Sequence, residues 1–435
     1  MEIKLVVTVY FVVVIIIGIV SWFKIKTPAD YYIASKRAGI FQVSGSLLAT
    51  ILGGSAVMGT IELSQKIGWA AFWLLFSAAI GLLFLVPLSK YINRYGNYTL
   101  PELLGRFYGK KTEILTSVII PLAWIGVIAA QIITAAKILI ALNILSYQEG
   151  AILSGVVFTV YTLLGGQLSI LKTDTFQAFL IIAGISILTV FIFNEPPDIF
   201  SDKNNVGHIF NSSFTPLDLL ILVLTYSVTF VVGPDIYSRI FCAKNEQTAS
   251  KSVFIVALIL IPLSFMLTYI GIYSGNSIIS FTESLLPGWM YGVFLAALLS
   301  AVMSSADTTL LNSSIILSGL VSGNLNKISS LKLTRLFIVL LGFISIIISI
   351  FVNSIIDALL FALTLFSGAF TIPTLFGLLN IPTKKHNITC AVILGGILAL
   401  LGKITNTYIN DLAGNIIIIC SFVISFVLLL RVKTR

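Results

Sequence analysis

Apolar residues run through this chain in long stretches separated by short polar connectors, without the strict polar alternation of a half-buried strand or soluble helix. A bilayer core takes about 20 consecutive apolar residues per helix. Thirteen such stretches can be placed, at roughly 5–23, 40–63, 67–89, 114–142, 150–166, 175–193, 217–235, 252–274, 288–320, 333–352, 355–379, 388–404 and 414–430. The longest connector, about 194–216, is shorter than an independent fold, so a single membrane-embedded, all-α domain is expected over 1–435. The first stretch exceeds the usual length of a signal-peptide core, and no small-x-small cleavage site follows it, so a retained helix is expected.

Composition agrees with this pattern. The chain is 58% hydrophobic and 10% charged, with a mean hydropathy of +1.06, whereas a soluble domain carries about 25% charged residues. Cys242, Cys390 and Cys420 share no metal or redox spacing and read as inert helix residues. No HExxH, Gly-rich phosphate loop or Ser/His/Asp set is present, so no enzyme activity is expected.

Basic residues concentrate on the cytoplasmic side of membrane proteins. With the N-terminus outside, the connectors after odd-numbered stretches are cytoplasmic, and with the C-terminal tail they hold 21 of the 26 basic residues. Among these are Lys36, Arg37, Lys90, Arg94, Lys172, Arg239, Lys327 and Lys384, with Arg431, Lys433 and Arg435 in the tail. The sixth connector is acidic instead, with Glu195, Asp198 and Asp202. The expectation is a multi-pass cell-membrane protein with its N-terminus outside and its C-terminus cytoplasmic. The net charge of +9 then reflects topology, and no nucleic-acid partner is required.

Two stretches are interrupted at matching places. The second carries Gly53-Gly54, and the seventh ends in Gly233-Pro234-Asp235. Paired glycines lower the cost of leaving helical geometry, and proline removes a backbone donor. The two breaks lie five stretches apart, and an odd repeat length is what two inverted copies require. Inverted-repeat transporters bind their cargo at such paired breaks, although glycines are also frequent simply as close-packing positions in membrane helices.

The ninth stretch reads Leu299-Ser300-Ala301-Val302-Met303-Ser304-Ser305-Ala306-Asp307-Thr308-Thr309. Ser304, Thr308 and, one step round, Ser305 place hydroxyls on nearly one face, with Ala301 one turn earlier. A transported monovalent ion is suited to neutral dipoles, which hold it without trapping it. Hydroxyls also serve simply to join helices. Asp307 is the deepest carboxylate, and an intramembrane ionisable residue is a functional candidate.

The segment SAVMSSADTTLLNSS (300–314) resembles the signature helix of the sodium:solute symporter family. YTLLGGQLSILKTDTFQ (161–177), GPDIYSRIFCAKNEQTA (233–249), DYYIASKRAG (30–39) and Tyr98-Thr99-Leu100-Pro101-Glu102 are similar to segments of the same family, in the same order. The resemblance implies thirteen helices, an external N-terminus and a leucine-transporter-like core of five plus five inverted helices. In this chain that divides as an extra N-terminal helix and connector (1–39), a first repeat (40–193), a second inverted repeat (217–379) and two extra C-terminal helices (388–430).

The resemblance also implies a sodium site formed by backbone carbonyls of Ala49, Leu52 and Ala301 with the hydroxyls of Ser304 and Ser305. A possible second ion or proton falls to Asp174, Asp307 and Thr308, where Asp307 departs from the family's usual serine. From its sequence position, Asp174 could equally be the N-cap of the sixth helix. Substrate is expected beside the breaks, at Gly53, Gly54, Ser55, Ala56, Gly233 and Asp235. Asp235 could receive an amino group, or pair with Arg239 one helical turn on; the second reading is favoured. The expected function is Na+-coupled symport of a small organic solute, an amino acid or similar, by a chain working as a monomer in the lipid bilayer. The rival readings are a proton-coupled carrier of the same fold, or a sensor or channel that does not pump.

Overall fold

The computed structural model describes residues 2–141, 145–194, 209–211, 213–275, 277–352 and 354–430. Among these residues there is no strand; the chain forms helices and three isolated bridges. In order the helices are α1 (Glu2–Trp22), α2 (Pro28–Ile33), α3 (Ile40–Ile51), α4 (Gly54–Ile67), α5 (Phe72–Tyr95), α6 (Leu100–Tyr108), α7 (Lys110–Ala141) and α8 (Tyr147–Asn194). There follow α9 (Pro216–Leu222), α10 (Val228–Val232), α11 (Pro234–Cys242), α12 (Glu246–Tyr273), α13 (Ile278–Leu285) and α14 (Gly288–Ser322). The last four are α15 (Ile328–Phe351), α16 (Ile355–Leu378), α17 (Ile388–Tyr408) and α18 (Asp411–Leu429).

Ten helices of the described chain are long and apolar enough to cross a membrane, with two shorter apolar ones, Leu5–Ser21 and Ile40–Ile51. Each of the thirteen stretches read from the sequence corresponds to one helix, to a pair joined across a break, or to one limb of α8. The chain is a multi-pass membrane protein. Its outer faces are apolar, with Phe193 74%, Phe343 62% and Val427 62% exposed, as side chains facing lipid must be.

Connector chemistry recurs. Thr27, Thr99 and Thr215 each cap a helix by accepting from the third helical N–H, and Asp30, Glu102 and Asp218 bond back to the cap. This reciprocal box satisfies two otherwise orphaned donors at each helix start. It gives the Tyr98–Glu102 motif a local structural role.

Two boundaries differ from the sequence reading. The connector expected between 166 and 175 is helical, because the turn is concentrated in one residue, Gly166, with φ 57° and ψ 178°. A Cβ there would lie 2.6 Å from the Tyr31 ring, so this corner admits only glycine. Asp174 therefore stands inside a helix and is no N-cap. The seventh stretch also continues past Asp235, because α11 resumes the helix as far as Cys242. Arg239, counted above among the connector charges, is consequently 0% exposed. The acidic residues Glu195, Asp198 and Asp202 and the basic residues Arg431, Lys433 and Arg435 lie outside the described residues.

α14 is the axis of the bundle. It packs along α8, α7 and α15, and α1 lies across it and α8. Every residue from Ser300 to Ile316 is buried, so this helix has no lipid face over its central turns. α17 and α18 pack on each other and on α16. Helices in lipid gain no hydrophobic drive for association and rely on close backbone approach. At the α16–α17 crossing, a Cβ on Gly368 would lie 2.6 Å from the Gly395 carbonyl, and one on Gly395 would strike the Gly368 carbonyl and the Ser425 hydroxyl. Gly395→Val should lower the thermal midpoint in detergent by an amount equivalent to roughly 1–3 kcal/mol of overpacking. Gly18→Ala, inside α1, where a Cβ meets nothing closer than 3.8 Å, should not lower it.

Candidate functional site: a broken helix against the hydroxyls of α14

α3 ends at Ile51. Leu52 (φ −81°, ψ 42°) and Gly53 (φ −61°, ψ 161°) leave helical geometry, and Gly54 opens α4. The break lies directly on α14: a Cβ on Gly53 would collide with the Ser305 hydroxyl, and one on Gly54 with the Val302 side chain. Both glycines are required for this approach. Backbone carbonyls freed at a helix end cannot remain unsatisfied in a membrane. Here the Ser304 hydroxyl donates to the Ala49 carbonyl (2.9 Å) and to the Ala301 carbonyl (3.2 Å), while Ser305 donates to the Thr50 carbonyl (2.8 Å).

Of the sodium set expected from sequence, Ala49, Ala301 and Ser304 are joined directly. Ser305 reaches the same break through Thr50 instead. Leu52 is buried in the turn, its N–H bonded to the Leu48 carbonyl (2.9 Å). The oxygens gathered here are all neutral. No group of three or more His, Cys, Asp or Glu side chains able to hold a metal occurs among the described residues. The donor set suits a monovalent cation, which needs neutral dipoles more than formal charge.

The second interruption is longer than a Gly-Pro break. Between α9 and α10, Val223–Ser227 forms a π-type turn, a feature frequent at functional sites. Gly233 is then extended (φ −69°, ψ 134°), and Pro234 begins α11. Between the two breaks lies a cavity of about 70 Å³, room for a few water-sized groups. Gly53, Ser55, Ala56, Gly233 and Asp235 line it, as the sequence suggested. Gly54 faces Val302 of α14 instead.

Asp235 and Arg239 do not pair. Arg239 Nη2 bonds Asp174 Oδ2 at 2.9 Å and also reaches the Thr308 hydroxyl. Nε donates to Ser46 (3.0 Å) and Nη1 to Ser238 (2.9 Å). Ser46 donates in turn to Asp174 (2.5 Å), and Thr308 to the Ser304 carbonyl (2.6 Å). Four of the five guanidinium N–H groups are taken up by α3, α8, α11 and α14, which turns the fork toward Asp174. Asp235 accepts instead from Trp124 Nε1 (2.6 Å) and Asn312 Nδ2 (2.8 Å).

Asp307 is buried beside Thr308 on α14 and lies within electrostatic reach of Asp174 and Arg239, without a hydrogen bond to either of those two. It shares a helix face with Ser300 and Met303, and Tyr10 of α1 donates to the Met303 sulfur (3.5 Å) while accepting from Gln177 Nε2 (3.1 Å). Neither Asp307 carboxylate oxygen has a hydrogen-bond partner among the described residues, and the same holds for Ser300 Oγ and Gln177 Oε1.

The sodium:solute symporter family model matches residues 31–398. The chain belongs to the sodium:solute symporter family. Among its relatives, the sodium/proline symporter of Haemophilus influenzae is 25% identical over 344 residues, covering 71% of this chain and 68% of that protein. The sodium/pantothenate symporter of Escherichia coli is 24% identical over 342 residues, covering 72% of this chain and 71% of that protein. A Na+-coupled sialic acid symporter solved in a substrate-bound outward-open state superposes with a TM-score of 0.78 at 16% identity, covering 100% of this chain and 99% of that one. The fold is therefore the leucine-transporter type.

Within this symporter, sequence reasoning missed Ser46, Thr50, Trp124, Gln131 and Asn312. Gln131 receives the Ser55 N–H (3.2 Å) on its carbonyl oxygen and donates to the Ser55 hydroxyl (2.7 Å), closing the start of α4. A lone glutamine and a lone tryptophan inside an apolar run were the available signals, since buried polar groups in membranes are rarely idle. The ion pair yields a stability prediction. Arg239→Met should strongly lower the detergent unfolding midpoint, because removing one partner of a buried pair costs about 3–5 kcal/mol. Arg239→Met combined with Asp174→Leu should recover most of the loss.

Proposed function

We propose that the chain is a Na+-coupled symporter, carrying a small organic solute by alternating access around the breaks at Gly53 and Gly233. The observation that carries this reading is the bonding of Ser304 and Ser305 to carbonyls at the α3–α4 break, where Ser305 and Thr50 also line the cavity that Ser55 and Asp235 line. A sodium ion entering that seam takes the carbonyls of Ala49, Leu52 and Ala301 with the two hydroxyls. It replaces hydroxyl-to-carbonyl hydrogen bonds with ion–dipole contacts and fixes the break against α14. Solute then meets a preformed wall at Gly53, Ser55, Ala56, Gly233 and Asp235, with Gly54 behind it against α14. Coupling is reciprocal: the factor by which sodium raises solute affinity equals the factor by which solute raises sodium affinity.

Asp174 and Thr308, two of the three residues suggested for a second ion, are bridged by the Arg239 guanidinium, which supplies a cation at that place. Asp307 is the remaining position for a second ion or proton. The two five-helix repeats are assigned to 40–193 and 217–379, each with its break in its first helix. The basic residues of the odd connectors favour an external N-terminus. One chain supplies every group the reading needs, so a monomer suffices.

The test uses the purified protein and needs no known solute. Sodium, but not potassium or N-methylglucamine, should raise the thermal midpoint saturably. Ser304→Ala with Ser305→Ala should raise the sodium concentration required by at least about tenfold, the equivalent of ~1.4 kcal/mol. An unchanged sodium requirement in the double variant would remove the site assignment.

A further inference from the structure

Three carboxylates and one guanidinium lie buried around the two breaks: Asp174, Asp235, Asp307 and Arg239. The one cation among them is committed to Asp174. Asp235 is held by neutral donors only, the Trp124 indole N–H on one oxygen and the Asn312 amide on the other. Neutral donors fix the direction of a carboxylate without cancelling its charge, and each oxygen retains acceptor capacity. Asp235 also sits in the first turn of α11, where the helix dipole favours a negative group.

The surrounding wall is aromatic and apolar. Trp124, Tyr226 and Phe230 line the cavity with Ile51, Val127 and Ile236, and no lysine, arginine or histidine does so among the described residues. The start of α4 would be the natural seat for a substrate carboxylate. Gln131 covers it, its side-chain oxygen already accepting the Ser55 N–H (3.2 Å) and its amide donating to the Ser55 hydroxyl (2.7 Å).

Resting on the symporter reading above, we propose that the solute is recognised through an ammonium group bearing at least one N–H, which pairs with Asp235 among the three aromatic rings. The N–H supplies a charge-assisted hydrogen bond to the carboxylate, and Tyr226 and Phe230 line the same cavity as rings able to attract a cation. The remainder of the solute is small and apolar, to suit Ile51, Val127 and Ile236. A solute whose only charge is a carboxylate or phosphate faces Asp235 with like charge and no basic partner. The ammonium makes Asp235 a specificity-determining residue, distinct from the sodium-binding seam of Ser304 and Ser305.

The experiment takes the full chain in detergent, in saturating sodium, and measures the thermal midpoint with matched triplets of solutes. Each triplet keeps one side chain or ring size and carries it as an amine, an α-amino acid and a carboxylate, for example isobutylamine, valine and isovalerate, with pyrrolidine, proline and cyclopentanecarboxylate as a cyclic set and glucose as a neutral arm. The solutes that add to the sodium shift should all carry an amine. Asp235→Asn should raise the concentration they require by at least about tenfold, while the shift from sodium alone stays as in the wild type. Stabilisation by carboxylates or glucose in preference to amines, no response to any amine, or an unchanged requirement in Asp235→Asn would each overturn the assignment. Absence of a sodium shift in the wild type would instead overturn the symporter reading on which it rests.

Discussion

The structure turns on one close approach, that of the α3–α4 break to the middle of α14. A membrane helix that stops in the bilayer leaves carbonyls that no water can reach, and each must find a donor or an ion. Ser304 and Ser305 supply the donors at 2.9 and 2.8 Å, and only glycine at 53 and 54 lets the backbone come near enough for them to do so. The same hydroxyls are oxygen ligands when they are not donating. Under the proposed function, a small cation entering the seam converts this hydrogen-bonded arrangement into an ion-filled one.

The polar groups beyond the seam form a continuous path. Thr308 donates to the Ser304 carbonyl and accepts from Arg239, which pairs with Asp174 on α8. Four helices thus meet at one guanidinium. A buried ion pair is weak evidence for stability, because desolvation offsets much of its attraction. Its geometric demands are strict, however, and any displacement of α3 or α11 relative to α14 must be accommodated at these bonds. The cavity carboxylate Asp235 is tied to the same node at one remove, through Asn312, which donates both to Asp235 and to Ser238.

Much of this was legible in the sequence because lipid imposes a simple rule. Long apolar runs had to be helices, and Gly53-Gly54 and Gly233-Pro234 marked where two of them could break. Sodium coupling came from the hydroxyls of the ninth stretch together with the family resemblance, which the match over 31–398 places on firm ground. Hydropathy failed wherever polar side chains are satisfied by distant partners. It ended the seventh stretch at 235, since Asp235, Ser238 and Arg239 look like a water-facing connector until Asp174, 65 positions away, is brought to them. It opened a connector before 175 because Gln167, Ser169, Thr173 and Asp174 are polar, whereas all four are buried in the helix that follows the corner at Gly166. Gln131 and Trp124 were visible as isolated polar groups, but their partners Ser55 and Asp235 lie 76 and 111 residues away along the chain.

The most direct test of the seam as the sodium site is backbone hydrogen exchange of the purified protein in sodium and in N-methylglucamine. Sodium should slow exchange in peptides covering residues 48–56 and 300–309, and potassium should not. Slowing confined to other segments, or none at all while sodium still stabilises the protein, would contradict the placement of the ion between the broken helix and α14.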